Sequence, residues 1–319
     1  MNDQNTPSPH IPVLYHEIIN ALAPHSGGLY IDGTLGAGGH AVGILDASTP
    51  DGKLLGIDLD PHALVIANQR LSVFKDRVFV KQGTYVDVAS FVKEIGWLFV
   101  DGIVLDLGVS SIQLDTKERG FSFLYDAPLD MRFGDQNSFN AADLVNSLAE
   151  NDLANIIWKY GEEKYSRKIA RIIYQNRPIN STFELADLIK KAYGNQYSQI
   201  HPATRTFQAI RIAVNQEMQA IESVIPQAIS LLKPGGKLAI ISFHSLEDRI
   251  VKSIFRTESK DCICPPDQPI CTCKHIKSIK EVNRKPIEAS PEEITNNPRA
   301  RSAKLRCCFY WLCLFYLFL

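Results

Sequence analysis

The sequence has no cysteine before Cys262, although the chain contains seven in all. A disulfide scaffold would need cysteines spread through the chain, so their distribution argues against one and favours a reducing compartment. Residues 1–9 are polar and lack the basic and apolar regions of a secretory leader. We therefore expect a cytoplasmic protein.

A hydrophobic run of membrane-spanning length is also missing. The apolar stretch Cys307–Leu319 ends the sequence, but it is shorter than the roughly 20 residues that a helix needs to cross a bilayer. We interpret it as a buried or adhesive tail, with a short tail anchor as the alternative, and expect no membrane partner.

The sequence carries no excess of either charge. Its 34 basic and 35 acidic residues give a net charge of -1, so a polyanionic partner would have to be bound by a local basic surface. Its 319 residues are 45% hydrophobic and 22% charged, which is typical of a globular protein with one large domain or a domain carrying an insertion.

The most distinctive stretch present runs from Leu29 to His40. A short apolar run ends in Asp32, and a helix-length apolar pattern resumes at Ala41. Between them lie four glycines, Gly33, Gly36, Gly38 and Gly39. This order predicts a strand, a tight turn and a helix, in which glycines let a ligand approach the main chain. We interpret the stretch as a nucleotide or nucleoside cradle; the alternative is a glycine-rich turn without a ligand.

Short apolar runs alternate with helical segments along much of the chain. Strands are predicted at residues 29–31, 53–58, 78–81 and 102–106. A further strand is predicted within 231–243, where a helix stops at Pro-Gly-Gly, and a last one within 302–310. This alternation predicts an α/β fold with a mainly parallel, Rossmann-like sheet and helices on both faces. Residues 262–298 are rich in proline and charge, and we expect them to be irregular.

The alternation stops between Ser111 and about Asn215, where only amphipathic helical segments follow. We therefore predict that the sheet domain comprises residues 1–111 and 216–319 and that an all-helical domain, residues 112–215, is inserted into it.

Three carboxylates end predicted strands: Asp32, Asp58 and Asp106. Ligands of open parallel sheets bind outside the carboxyl ends of the strands, so the three are expected to converge on one crevice. The loop from Gly36 fits the pattern G-x-G-x-x-[G/A], and Asp58 follows at a distance suited to binding ribose hydroxyls.

Both NAD(P)-dependent oxidoreductases and S-adenosylmethionine-dependent methyltransferases use this pattern. Asp32 could face the ammonium group of a methionine moiety, whereas a negative charge beside a pyrophosphate is unfavourable. The Lys-Pro-Gly-Gly turn at 233–236 resembles the turn before the fifth strand of class I methyltransferases. Together these features favour a methyltransferase without deciding the matter.

The residue types also limit the reaction. Methylation at pyrimidine C5 uses a cysteine nucleophile, and the predicted catalytic region contains none. An exocyclic amine or a ribose hydroxyl remains as acceptor. Asp106 could accept a hydrogen bond from an amine, but it is followed by Leu-Gly-Val rather than the Pro-Pro-Tyr of many amino-methyltransferases. The local sequence leaves the acceptor atom open.

Several long motifs point further. They lie at residues 30–40, 101–115, 119–123, 128–132, 201–211, 242–249 and 297–302. Together they resemble the bacterial 16S ribosomal RNA cytosine-N4 methyltransferase family, over about His10 to Arg306. After Arg306 the sequence departs from that family, which normally continues with polar residues.

The resemblance implies a class I methyltransferase fold and methyl transfer from S-adenosylmethionine to the N4 amine of a cytidine in the decoding region of 16S rRNA, within the small ribosomal subunit. It implies that the inserted helical domain recognises the substrate. The expected cofactor-binding residues are Asp32, Gly36, Gly38, Gly39, His40, Asp58, Tyr85, Asp106 and Gln113. A non-catalytic, RNA-binding assembly factor with a vestigial cofactor fold is the third hypothesis, and a homodimer is left open.

The substrate side is assigned more loosely. Asp106 and His244 are the candidate catalytic residues, although His244 could instead be a structural cap. The candidate substrate contacts are Ser110, Ser111, Arg132, Arg205, Arg211, Phe243 and Ser245. Phe243 could stack on a flipped base and the arginines could contact phosphates, or the arginines could simply form ion pairs. A further basic stripe is predicted at Lys164, Arg167, Lys168 and Arg171.

Four cysteines are closely spaced: Cys262, Cys264, Cys271 and Cys273. Four thiolates can form a structural zinc site, but the spacing is not that of paired C-x2-C motifs. We favour reduced cysteines without a metal and keep structural zinc as the alternative.

Overall fold

A computed structural model describes residues 12–135, 137–194, 200–268 and 270–311, and for Ser111 and Ile112 only the backbone. The chain divides into two compact units. One, here called the sheet unit, comprises Met1–Gly108 and Ala220–Leu319; the other, the helical unit, comprises Val109–Gln219.

The sheet unit contains one eight-stranded sheet. Its strands are β1 (Leu29–Asp32), β2 (Lys53–Asp58), β3 (Val78–Gln82), β4 (Val100–Asp106), β5 (Leu232–Ser242), β6 (Ile279–Glu281), β7 (Ile287–Glu288) and β8 (Lys304–Tyr310). Their order is β3-β2-β1-β4-β5-β8-β6, with β7 also paired to β8. Strands β1 to β5 are parallel, and β8 runs antiparallel to its neighbours. Helices cover both faces, so the predicted fold class is confirmed.

Thirteen α-helices lie in the described residues. They are α1 (Tyr15–Leu22), α2 (Gly39–Ala47), α3 (Pro61–Leu71), α4 (Val88–Glu94), α5 (Ser111–Asp115), α6 (Ala141–Ser147), α7 (Glu150–Gly161), α8 (Ser166–Gln175), α9 (Thr182–Tyr193), α10 (Ala203–Asn215), α11 (Glu217–Leu231), α12 (Ser245–Glu258) and α13 (Pro291–Asn296). Short 3-10 helices lie at Ser72–Arg77, Tyr85–Asp87, Lys117–Arg119 and Pro298–Ser302.

The central strands of the sheet are buried along nearly their whole length. Four consecutive residues of β2 and four of β4 are fully buried, as expected for parallel strands covered on both faces. Side chains such as Leu54 and Ile241 join those of α1 and α2 in one apolar core. This core fixes the carboxyl ends of β1, β2 and β4, from which the candidate site is built.

The helical unit has an apolar core of its own. Leu153 and Ile157 of α7 and Ile169 and Ile173 of α8 are fully buried in it; their four-residue spacing places each pair on one helix face. Capping boxes start α6 at Asn140 and α9 at Ser181, and no strand is assigned to the described part of this unit.

The prediction that residues 262–298 are irregular is confirmed for the described residues of 262–278 but is wrong at three short elements that follow. Strands β6 and β7 lie there and pair with β8, and α13 begins after Ser290, whose side chain accepts a hydrogen bond from the Glu293 N–H. Strands of three and two residues are too short to show a periodic pattern in the sequence. Their pairing with β8, rather than their own residue pattern, stabilises them.

Within the described residues, no helix is both long enough and apolar enough to span a bilayer. The predicted tail begins inside β8, where Cys307 and Cys308 are buried. Residues 312–319 of that tail lie outside the described part of the chain.

Candidate active site

The glycine loop joins β1 to α2 and depends on its glycines. Gly36 and Gly38 have positive φ angles of 50° and 77°, a region that other residues adopt at an energetic cost. At Gly39 a Cβ atom would lie 2.3 Å from Cγ of Pro12. Side chains at these positions would therefore strain the loop.

Hydrogen bonds tie the loop to β4. The Gly33 N–H donates to the Val104 carbonyl at 3.0 Å, and the Asp106 N–H donates to Oγ1 of Thr34 at 2.6 Å. Thr34 therefore fixes the end of β4 relative to the loop. The sequence alone does not single out Thr34, because a threonine among glycines gives no signal of a partner 72 positions away.

The loop is tied to β2 on its other side. The Leu35 N–H donates to the Ile57 carbonyl at 2.9 Å, and the Gly36 N–H donates to Oδ2 of Asp58 at 2.7 Å. Oδ1 of Asp58 accepts a further hydrogen bond from the Asp60 N–H. Burial raises the pKa of Asp58, although these backbone donors oppose the shift. The loop is thus held on both sides before any ligand binds.

Three polar side chains beside the loop have unsatisfied atoms. Asp32 is 1% exposed and His40 is 5% exposed. Among the described residues, Oδ2 of Asp32, both ring nitrogens of His40 and Oδ1 of Asp106 are buried without a hydrogen-bond partner. Nε2 of His40 lies 3.7 Å from Oδ2 of Asp106, too far for a hydrogen bond. Buried polar atoms are normally paired, so these atoms indicate a site for a polar ligand.

The carboxyl of Asp32 is strongly perturbed. Burial raises its pKa from 3.8 to about 7; His40 opposes the shift, and the nearby carboxylates of Asp106 and Asp58 add to it. A cation or hydrogen-bond donor next to Oδ2 would stabilise the ionised form. The site is therefore suited to a ligand with a positively charged group.

Tyr85 follows β3, in the short helix Tyr85–Asp87, and is partly buried. Its Cβ would lie 3.3 Å from a Cβ placed on Gly33. Tyr85 therefore borders the glycine loop, on the same edge of the sheet as the strand-end carboxylates.

The residues after β5 build the start of α12. The Glu247 N–H lies 3.4 Å from Nδ1 of His244, and Oε2 of Glu247 accepts hydrogen bonds from the N–H groups of Phe243 and His244. This is a capping box with histidine at the N-cap. The ring of Phe243 borders Gly108, and Ser245 is exposed. The geometry of His244 is that of a structural cap, the alternative expected from the sequence.

Gln113 and the substrate candidates Ser110 and Ser111 belong to the helical unit. The Ser110 N–H donates to Oε1 of Gln113, and the Gln113 N–H donates to Oγ of Ser110. This reciprocal pair caps α5, so part of the bonding capacity of Gln113 is used within its own unit. The side chain of Ser111 is outside the described structure.

The three candidate arginines differ in their pairing. Arg132 makes two hydrogen bonds to the carboxylate of Asp130, and Arg211 makes two to Glu217. Arg205 is exposed and donates to the Glu162 carbonyl at 3.2 Å. The charges of Arg132 and Arg211 are therefore balanced inside the helical unit. Their assignment to phosphate stays a prediction.

The sequence is similar to those of known methylases. A model of the MraW methylase family matches residues 7–309. The chain belongs to the MraW methylase family. The resemblance predicted from the sequence motifs is thereby confirmed.

Relatives of this methylase are similar over nearly the whole chain. Ribosomal RNA small subunit methyltransferase H of Dehalococcoides mccartyi is 51% identical over 301 residues, 94% of this chain and 86% of that protein. The protein of the same name from Geobacter sp. strain M21 is 52% identical over 302 residues, 93% and 97% of the two chains.

A solved rRNA methylase structure from Streptococcus thermophilus aligns over 95% of this methylase and 99% of that chain, with a TM-score of 0.44 and 10% identity. The family is assigned from the sequence similarity alone, and not from the similarity to this solved structure.

Proposed function

We propose that this methylase transfers a methyl group from S-adenosylmethionine to the N4 amine of a cytidine in the decoding region of 16S rRNA. The observation that carries the proposal is the set of unsatisfied atoms of Asp32, His40 and Asp106 around a glycine loop that is hydrogen-bonded to Asp58 and Asp106. It is supported by relatives that are named as small-subunit rRNA methyltransferases.

The residues of the sheet unit suit this cofactor. The buried carboxylate of Asp32 can oppose the ammonium group of its methionine part. Asp58 retains lone pairs for ribose hydroxyls while it holds Gly36. Tyr85 supplies an aromatic ring next to the loop for the adenine, and Gly38, in a left-handed conformation, forms the turn into the N-terminus of α2 at Gly39. Nicotinamide chemistry has no comparable support, because the family is one of methylases.

S-adenosylmethionine supplies an electrophilic methyl group, so this chain has to align the acceptor and exclude water. The amine of cytosine is a weak nucleophile because its lone pair is delocalised into the ring. Oδ1 of Asp106 is buried without a described partner and can accept a hydrogen bond from the amine N–H. That bond returns electron density to the nitrogen and leaves an acceptor for its proton.

The helical unit supplies the surface for the RNA backbone. Ile169 and Ile173 bury one face of α8, while Arg167, Lys168 and Arg171 are exposed. Arg171 also lies 3.4 Å from Glu150, but both side chains reach solvent. We assign phosphate binding to these exposed cations, with Lys164 beside them, in a protein that acts in the cytoplasm.

The test uses small ribosomal subunits from cells that lack the modification. Incubation with labelled S-adenosylmethionine should yield N4-methylcytidine in a decoding-region fragment, identified by mass spectrometry. An unlabelled fragment, or label on a ribose or another base, would refute the proposal.

The Asp106→Asn variant separates an enzyme from an assembly factor. An enzyme should lose transfer by about 10²-fold or more while retaining its thermal stability and RNA affinity. A growth phenotype that Asp106→Asn fully rescues, despite lost transfer, would favour the assembly-factor hypothesis instead.

A further inference from the structure

The loop between α12 and β6 brings together four cysteines, here called the cysteine cluster: Cys262, Cys264, Cys271 and Cys273. Their sulfur atoms all lie within 4.8 Å of one another. The loop belongs to the sheet unit and lies outside the glycine-loop site. Nothing in the proposed methyl transfer uses it.

The spacing of the sulfur atoms is that of a tetrahedron around a metal. Four thiolates at about 2.3 Å from zinc are about 3.8 Å from one another. Sγ of Cys271 lies 3.5 Å from that of Cys262, 4.0 Å from that of Cys264 and 3.5 Å from that of Cys273. Sγ of Cys273 lies 3.8 Å from that of Cys262. A disulfide would instead need about 2.05 Å.

Backbone groups are directed at the same sulfur atoms. The Ile263 and His275 N–H groups each lie 3.5 Å from Sγ of Cys273, and the Cys264 N–H lies 3.4 Å from Sγ of Cys262. These contacts orient the sulfur atoms of Cys262 and Cys273 within the cluster, as the surrounding groups of a metal site orient its ligands.

The rest of the loop is anchored to secondary structure. A ring nitrogen of His275 lies 3.1 Å from the Thr257 carbonyl in α12, and the Ser278 N–H donates to the Glu258 carbonyl just before β6. Between these anchors, Ile263 and Ile270 are exposed. All residues in 262–268 and 270–273 are exposed or only partly buried. An apolar core thus contributes little to fixing the described part of this segment, and a metal could take that role.

We propose that the cysteine cluster binds one structural Zn²⁺ in tetrahedral all-sulfur coordination and so fixes the connection between α12 and β6. Binding replaces four thiol protons, which are released to solvent as four thiolates form. The all-sulfur ligand set leaves no open position for a catalytic water, so the metal is structural rather than catalytic.

The first test measures metal content on the full chain purified under reducing conditions with zinc in the medium. We expect about one zinc per chain by mass spectrometry, falling to less than about one tenth in Cys271→Ser. Thr272→Ser, in the same loop with all four cysteines intact, should retain full zinc. Iron instead of zinc, no metal, or equal zinc in Cys271→Ser would each overturn the proposal.

The second test does not depend on a variant that folds. The chain stripped of metal by a chelator is titrated with Co²⁺, and tetrahedral sulfur coordination should give intense thiolate-to-cobalt absorption, bleached by one equivalent of Zn²⁺. Octahedral or oxygen-ligated cobalt spectra would overturn it, as would disulfide-linked peptides within the loop of the freshly reduced chain. Neither test reads methyl transfer, so its outcome is independent of the proposed function.

Discussion

Oδ2 of Asp58 accepts a hydrogen bond from the Gly36 N–H at 2.7 Å. The carboxylate that is assigned to the cofactor ribose therefore also fixes the glycine loop. Asp58→Asn keeps the size of the side chain but lowers its strength as an acceptor. We expect its affinity for S-adenosylmethionine to fall by about 10- to 100-fold, the loss of a hydrogen bond to a charged group, measured by calorimetry.

A second change separates loop support from ribose contact. Gly36→Ala strains a residue at φ 50° but leaves Asp58 in place. If Asp58→Asn bound S-adenosylmethionine as tightly as the unmodified chain, Asp58 would neither support the loop nor contact the ribose.

Thr34→Val tests the connection between the loop and β4. The replacement is nearly isosteric but leaves the Asp106 N–H without the Oγ1 acceptor at 2.6 Å. We expect a loss of about 1–3 kcal/mol in unfolding free energy and a lower rate of transfer, because Asp106 is no longer held in place. Thr34→Ser, which keeps the hydroxyl, should recover most of both. Equal behaviour of the valine and serine variants would contradict this role.

Asp32 makes the stability of the ligand-free protein depend on pH. Its pKa is raised from 3.8 to about 7, so between these values the folded chain holds a proton that the unfolded chain has lost. Stability from this group is therefore present at low pH and is lost as pH rises towards about 7.

Asp32→Asn removes that loss. At pH about 8 it should stabilise the ligand-free chain by about 1–4 kcal/mol relative to Asp32, with a smaller difference at pH about 5, measured by thermal unfolding. The same variant should bind S-adenosylmethionine more weakly. Parallel stability curves for the two chains over this range would refute the assignment.

His244 is tested by separating its cap from its imidazole. His244→Ala should lower the free energy of unfolding by about 1 kcal/mol, because the N-cap of α12 is lost. His244→Asn supplies a good N-cap and should keep the stability of the unmodified chain. If transfer stays high in His244→Asn, His244 is a cap only. A stable His244→Asn chain with strongly reduced transfer would instead support the predicted contact with substrate.

The sheet was readable from sequence where its strands are buried on both faces. The run Lys53–Asp58 is predicted and observed with the same bounds, because parallel strands carry continuous apolar residues. Strands β6 and β7 were not readable, since pairing with β8 rather than their own sequence defines them.

Some residues of the candidate site were predictable from the sequence and others were not. Strand-end carboxylates are visible because strand ends are visible, and Asp32, Asp58 and Asp106 do lie around one loop. Side chains that bond to distant backbone, such as Thr34, leave no local pattern. His244 and Glu247 did leave one, since their spacing is that of a capping box, although histidine is not among the usual N-cap residues.

The order of the strands has a consequence for synthesis on the ribosome. The hydrogen bonds that hold the glycine loop to β2 and β4 all involve residues before Gly108. Strands β5 and β8 lie on the other side of β4, and both follow the helical unit in the sequence. A nascent chain that has emerged only to Gln219 can form β1 to β4 but leaves one edge of β4 unpaired. Such an edge pairs readily with other chains, so we expect this protein to be exposed to aggregation while the helical unit is being translated.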